Sequence, residues 1–476
     1  MIPLLTNDGT PLYRQVYQGL RHAVLTQALR PGEQLPSTRE LAAQLRVSRT
    51  VVLLAYDQLL AEGFVVGRRG SGTYVASGAG GARTLPPRRT VRVRLSRFGT
   101  VAQGASPRVQ VPARRSASLR YDFSYSRTHL STFPFETWRR LLLRHARQAP
   151  ARELDYGPTS GSSALREAIA AHLRRSRAVT CDPSQIIIVS GSQQALDLVT
   201  RVLLERGDRV VVENPLYQGI REVLRAAGAR LAPVRVDEQG LDPAVLPRAA
   251  RLAVVTPSHQ FPTGAILPLE RRLRLLDWAQ RANAIVLEDD YDGEFRYEGH
   301  PVESLQGLAA TDRVIYVGTF TRTIFPALRI GYLVVPHPLL AALSTAKWLC
   351  DRHTATLEQE TLATFITSGG YERHLRRTRR EHASRRSALV DAVGEYLGDR
   401  VRVTGQATGT HVVLWPTRRV SEEGVVAEAA ARGVGIYGMA PYFIGRPSRA
   451  AFLLGYSRLA VSEIAEGIRR LAGTSI

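Results

Sequence analysis

The stretch Leu35–Val75 reads LPSTRELAAQLRVSRTVVLLAYDQLLAEGFVVGRRGSGTYV. Ser37 or Thr38 can accept from the first free N–H groups of a helix. Glu40 falls in the first turn, where negative charge suits the helix dipole. Leu41, Leu45, Val47, Val51, Ala55 and Leu59 recur at helical spacing, with a break near Arg46-Val47. Two short helices at an angle satisfy that pattern, and Ser48 can cap the second. Ala61-Glu62-Gly63-Phe64-Val65-Val66 then starts a strand, Gly67-Arg68-Arg69-Gly70-Ser71-Gly72 turns it, and Thr73-Tyr74-Val75 returns. Ser48, Arg49 and Thr50 stand at the N-terminus of the second helix, and Arg68 and Arg69 at the hairpin tip. Hydroxyls and helix N-termini suit phosphates, and arginine suits phosphates or guanine edges. The plain alternative is an unrelated small helical domain with a polar surface.

Outward from this stretch, the chain has 476 residues, more than one ordinary core accommodates. Apolar residues make up 44% and charged residues 22%, a globular profile. No run approaches the roughly 18 apolar residues of a membrane span, and Met1–Asp8 lacks the pattern of a secretory signal. Cys181 and Cys350 stand far apart, so neither a disulfide framework nor a metal site is inferred, and a reducing cytoplasm is expected. The net charge of +22 suits a polyanion partner, or reflects arginine-rich codon usage. Lys347 is the single lysine.

Three regions follow from composition: residues 1–77, a linker over 78–120, and 121–476. The linker carries Pro86-Pro87-Arg88-Arg89, Arg92, Arg94, Arg97, Arg108, Arg114 and Arg115 with no acidic residue, and reads as an extended, self-repelling tether. It could also brush DNA phosphates. From Tyr121 onward, the apolar runs Gln185–Val189, Arg209–Val212, Leu252–Val255, Ala284–Leu287, Val314–Val317 and Gly331–Val335 alternate with amphipathic stretches. They are rich in Ile and Val and lack alternation, so a mostly parallel sheet buried on both faces is expected. Residues from about 367 to 476, ending in an amphipathic Val461–Leu471, read as a smaller α/β subdomain.

Several motifs follow these strands. Ser190-Gly191-Ser192-Gln193-Gln194 opens a helix and can hold a phosphate, or is a plain turn. Tyr217 in Pro215-Leu216-Tyr217 can cover a flat heterocycle, or belongs to a core. Thr256-Pro257-Ser258-His259-Gln260-Phe261-Pro262-Thr263-Gly264 is a polar loop in which His259 alone reads as structural. Glu288-Asp289-Asp290-Tyr291-Asp292 ends a strand. A carboxylate there can hold a protonated pyridine nitrogen, or simply caps. Gly318-Thr319-Phe320-Thr321-Arg322-Thr323 runs on to Arg329 after another strand.

Leu35–Val75 resembles the GntR family of winged-helix regulators. That resemblance implies DNA contacts at or near Arg39, Ser48, Arg49 and Gly72, to which Thr50, Arg68 and Arg69 add by chemistry. Tyr121–Ile476 resembles a fold-type I aminotransferase domain dependent on pyridoxal 5′-phosphate. The pairing resembles the MocR subfamily. The implied fold class is α/β: a winged helix-turn-helix plus an aminotransferase-like domain with a smaller C-terminal subdomain. The resemblance implies phosphate contacts at Ser192, Gln193, Thr319 and Arg329, ring stacking at Tyr217, a pyridine-nitrogen partner in Asp289, and Tyr291 near the phenolic oxygen. It also implies double-stranded DNA and a small-molecule effector as partners, and a homodimer.

One position departs from the family. Its motif reads Ser-Lys-Thr or similar where this chain has Thr321-Arg322-Thr323. The lysine forms the internal aldimine. A guanidinium with a pKa above about 12 and delocalised lone pairs should not attack an aldehyde. No catalytic residue is therefore assigned, and Lys347 reads as structural or surface. The expectation is a DNA-binding regulator that senses pyridoxal phosphate, a derivative of it or an amino-bearing ligand without a covalent bond, and is no enzyme. A working aminotransferase carrying a DNA-binding module, and a regulator whose large domain is only a dimerisation scaffold, are the alternatives.

Overall fold

The computed structural model describes residues 9–78, 94–109, 119–125, 130–150, 155–299 and 303–476. The chain forms two compact units, Met1–Arg94 and Leu95–Ile476.

In the first unit, helix Leu12–Leu25 precedes helices Thr38–Leu45 and Arg49–Ala61 and an antiparallel hairpin, Val65–Arg68 with Gly72–Val75. Ser37 and Glu40 form a reciprocal cap. The Glu40 N–H donates to Ser37 Oγ at 3.2 Å, and the Ser37 N–H to Glu40 Oε2 at 2.8 Å. The break falls at Arg46, whose φ of 53° ends the helix in the left-handed region. Leu41, Leu45, Val52, Leu59, Val65 and Val75 close a core against Val16, Leu20 and Val24 of the first helix. Their spacing leaves Ser48, Arg49, Thr50, Arg68 and Arg69 exposed.

The second unit is built on an eight-stranded sheet in the spatial order Ile186–Val189, Gly331–Val334, Val314–Thr319, Ile285–Asp290, Leu252–Val255, Arg209–Asn214, Arg230–Asp237, Gly240–Leu241. Neighbours from Val314–Thr319 to Arg230–Asp237 run parallel. Gly331–Val334 is antiparallel to both its partners. The six expected strands all form. Their Ile, Val and Leu side chains, the half-buried Ile285 apart, are buried on both faces, as crossover helices on each side require. Arg230–Asp237 was not expected as a strand. It lies near the sheet edge and carries Arg230, Arg235 and Asp237, which hide its pattern.

The smaller subdomain has an antiparallel sheet of Val401–Thr404, His411–Pro416, Phe452–Gly455 and Tyr437–Gly438. Helices Gly370–Tyr396 and Val461–Leu471 pack on one another. Tyr121-Asp122 pairs in parallel with Val434-Gly435, so the start of the expected 121–476 domain belongs to its far end.

The tether reading needs correction. Arg97–Val109 is a helix packed against helix Gln218–Ala227, not an extended segment. Pro86, Pro87, Arg88, Arg89, Arg92, Arg114 and Arg115 lie outside the described residues. Lys347 is not a surface residue. It is fully buried and ion-paired with Asp351. No helix among the described residues is long and apolar enough to cross a membrane.

Candidate functional site

Two sites emerge, one in each unit. In the first, Ser48 caps helix Arg49–Ala61, its Oγ accepting from the Val51 N–H at 3.4 Å. Arg49 Nε donates to Thr38 Oγ1 at 3.3 Å, which holds its guanidinium at the junction of the two helices. Arg39 and Thr50 are exposed beside it. Arg68 stacks on the Tyr74 ring, with 4.6 Å from Cζ to the centroid. At Gly72, φ is 114°, a conformation that strains any residue with a side chain, and an added Cβ would also displace Gln34 Nε2 from 2.7 Å, so the hairpin favours glycine there. The helix N-terminus and the wing thus offer separate cationic surfaces.

In the second unit, a cavity of about 1090 Å³ opens at the C-terminal ends of the parallel strands, where ligands of such sheets bind. All eight residues expected to contact a cofactor line it: Ser192, Gln193, Tyr217, Asp289, Tyr291, Thr319, Arg322 and Arg329. Ser192 begins helix Ser192–Leu203 after Gly191, whose φ of 83° turns the chain. Arg329 Nη2 donates to the Ser190 carbonyl at 2.7 Å, and a Cβ at position 191 would sit 2.8 Å from that nitrogen. Helix N–H groups and a guanidinium therefore converge on one turn, an arrangement suited to a phosphate. Gln193 Nε2 donates to the Gly219 carbonyl at 3.3 Å. Thr319 Oγ1 accepts from the Thr321 N–H at 3.1 Å and lies 2.8 Å from Thr321 Oγ1, shaping the loop that carries Arg322.

The acidic run separates by commitment. Glu288 accepts from the Leu305 and Gln306 N–H groups at 2.9 and 3.0 Å. Asp290 pairs with Arg177 at 2.7 Å and accepts from Tyr316 Oη at 2.5 Å. Asp292 pairs with His259 at 2.8 Å. Asp289 alone among these four faces the cavity, and its buried Oδ1 has no hydrogen-bond partner among the described residues. Burial, followed by Asp290, Asp292 and Glu213, pushes its carboxyl up to about 7, against the opposing pull of Arg322. An orphaned carboxylate oxygen aimed into a cavity fits a ligand that brings its own N–H. Arg322 Cζ lies 5.8 Å from the Tyr291 ring centroid, so the guanidinium stands beside the cavity's aromatic wall.

Some lining was not anticipated. Phe98, Val101, Ala102 and Ala105 of helix Arg97–Val109 form part of the wall. Their only signal in the sequence is a four-residue apolar spacing within an Arg- and Gly-rich segment. His259, Asp292 and His411 each place a ligand-type atom within 4.8 Å of the others, although no metal was expected. His411 Nε2 lies 3.1 Å from the Pro262 carbonyl, so hydrogen bonding accounts for its placement.

A winged helix-turn-helix joined to a fold-type I aminotransferase fold defines a class of bacterial regulators. The model "Bacterial regulatory proteins, gntR family" matches residues 12–75, and "Aminotransferase class I and II" matches residues 124–444. The chain is 38% identical to a probable rhizopine catabolism regulatory protein, MocR, of Rhizobium meliloti, over 99% of this chain and 95% of that one. It is 32% identical to the pyridoxine biosynthesis transcriptional regulator PdxR of Corynebacterium glutamicum, over 98% of each. The solved α-aminoadipate aminotransferase LysN of Thermus thermophilus, complexed with N-(5′-phosphopyridoxyl)-L-leucine, is similar with a TM-score of 0.69 and 30% identity. It matches over 78% of this chain and 95% of that one. The chain belongs to the gntR family of bacterial regulatory proteins, in the group that carries an aminotransferase class I and II domain, and it is a helix-turn-helix transcription regulator.

Proposed function

We propose that this regulator binds operator DNA through Arg39, Ser48, Arg49, Thr50, Arg68, Arg69 and Gly72. Its second unit senses pyridoxal phosphate, a phosphopyridoxyl derivative or an amino-bearing ligand, held without a covalent bond. The observation that carries the ligand reading is the orphaned Asp289 Oδ1 in a cavity that also holds Arg322 at the lysine position. Pyridoxal phosphate, when bound, supplies an aldehyde and an electron-withdrawing pyridine ring. Asp289 would accept from the ring N–H, Tyr217 would cover the ring, and Ser192, Gln193, Thr319 and Arg329 would hold the phosphate. Arg322 adds positive charge but no nucleophilic amine, so the protein acts as a sensor and not as a transaminase. The relatives that are named as regulators support this reading, as does the phosphopyridoxyl ligand of the LysN structure. A homodimer in the cytoplasm, reading paired half-sites, completes it.

Titration calorimetry of the full chain with pyridoxal phosphate, pyridoxamine phosphate and amino acids tests the reading, with DNA binding followed in parallel. Heat with at least one phosphopyridoxyl ligand is expected, with no pyridoxyl mass retained after borohydride reduction. Heat with none of them would leave the large unit as a scaffold. A retained pyridoxyl mass on the wild-type chain would restore the enzyme reading.

A further inference from the structure

Behind the cavity wall, Tyr291 meets two buried side chains that the reading above leaves unused. His259 Nδ1 lies 2.8 Å from Asp292 Oδ2 and 3.0 Å from Tyr291 Oη. His259 is 1% exposed and Asp292 2%. The His259 ring stacks on Tyr291 with centroids 5.9 Å apart, and meets the His411 ring at 4.9 Å. A side chain at Gly409 would collide with both His259 and Asp292, so the backbone there fits closely around the pair.

The hydrogen inventory is restrictive. An ionised carboxylate only accepts, so the hydrogen on His259 Nδ1 points to Asp292. With that hydrogen in place, Nδ1 has no in-plane lone pair to offer Tyr291. The Tyr291 hydroxyl then cannot donate to Nδ1, and toward that nitrogen its oxygen can only share the Nδ1 hydrogen. Its own O–H hydrogen is left for the cavity that Tyr291 lines. His259 Nε2, buried and without a hydrogen-bond partner among the described residues, is the lone-pair nitrogen this tautomer requires. Arg322, over the same Tyr291 ring, adds positive charge on the cavity side.

We infer that Asp292 and His259 are positioning residues that fix Tyr291 as a hydrogen-bond donor into the cavity. The inference rests on the ligand-sensing reading above and adds to it the two residues that orient Tyr291.

The test is the affinity of the full chain for pyridoxal phosphate in wild type, Tyr291→Phe, His259→Phe, His259→Asn and the Tyr291→Phe/His259→Phe double variant. His259→Phe keeps the ring stack and removes the N–H. His259→Asn restores an N–H near the Nδ1 position. Each Phe variant is expected to weaken binding about tenfold, and the double variant no further, because one hydrogen bond is being removed twice. His259→Asn is expected to recover most of the affinity. Losses that multiply in the double variant, or His259→Asn as weak as His259→Phe, overturn the inference. If His259→Phe does not fold, Asp292→Asn replaces it: a weakened affinity supports the relay and an unchanged one overturns it. A wild-type chain that takes up neither pyridoxal nor pyridoxamine phosphate overturns the sensing reading itself, and the relay with it.

Discussion

Asp289→Asn is expected to stabilise the ligand-free second unit above neutral pH while removing its affinity for a pyridine ring. An aspartate ordinarily titrates near 3.8, and Asp289 in the fold is pushed up to about 7. Between those values the folded carboxyl keeps a proton that the unfolded chain has already released. Stability from this group is therefore present at low pH, falls as pH rises from about 4 to about 7, and stays low above that. The interval sets a ceiling of about 4 kcal/mol on the loss. Asparagine carries no charge and escapes it, but its amide leaves a buried polar atom without a partner, costing about 1–3 kcal/mol. The variant should thus be about 1–3 kcal/mol more stable than wild type at pH 8 and less stable at pH 4. Glu213 and Glu288 are also pushed up to about 7, chiefly by burial, so the wild-type pH slope should shrink in the variant without vanishing. Scanning calorimetry from pH 4 to pH 8, following the transition of the larger unit, reads this directly. Parallel pH slopes for the two proteins, with the variant no more stable at pH 8, would refute the argument. Pyridoxamine phosphate should separate them in the opposite sense, stabilising wild type only.

Arg322→Lys should acquire a pyridoxyl group at position 322 after treatment with pyridoxal phosphate and borohydride, visible by intact mass; no added mass would show that the cavity no longer presents an aldehyde there. Arg49→Ala should weaken duplex DNA binding at least tenfold and lower the salt slope by about 1, as loss of one phosphate or base contact requires. Fluorescence anisotropy at several salt concentrations checks it, and an unaltered affinity would remove Arg49 from the interface. Ser37→Ala should cost the smaller unit about 1 kcal/mol by breaking the reciprocal cap with Glu40, measured as a lower melting temperature of that unit alone.

Local chemistry made the first unit legible. Ser37, Glu40, Ser48 and the glycines of the hairpin act within a few residues of themselves, so their spacing alone announces two capped helices and a wing. The parallel strands were legible because burial on both faces writes continuous Ile and Val runs. Asp289 was legible as an acid at a strand end. That it is the uncommitted one, while Glu288, Asp290 and Asp292 are engaged, depends on partners such as Leu305, Arg177 and His259, brought up by the fold. His259 read as structural because a lone histidine carries no sign of a carboxylate 33 positions away. Helix Arg97–Val109 was hidden for a different reason. Gly99, Gly104 and Pro107 depress its intrinsic helicity, and packing against Gln218–Ala227 overrides that preference in a way only the folded chain displays.

The burial of Lys347 has an outcome beyond the cavity. Because the chain has no other lysine and this one is enclosed with Asp351, the folded protein exposes no side-chain amine at all. Enzymes that acetylate lysines or build isopeptide tags for proteolysis find no acceptor on its surface. The Lys/Arg charge that the fold leaves exposed is therefore guanidinium charge, which no amine-directed modification can erase.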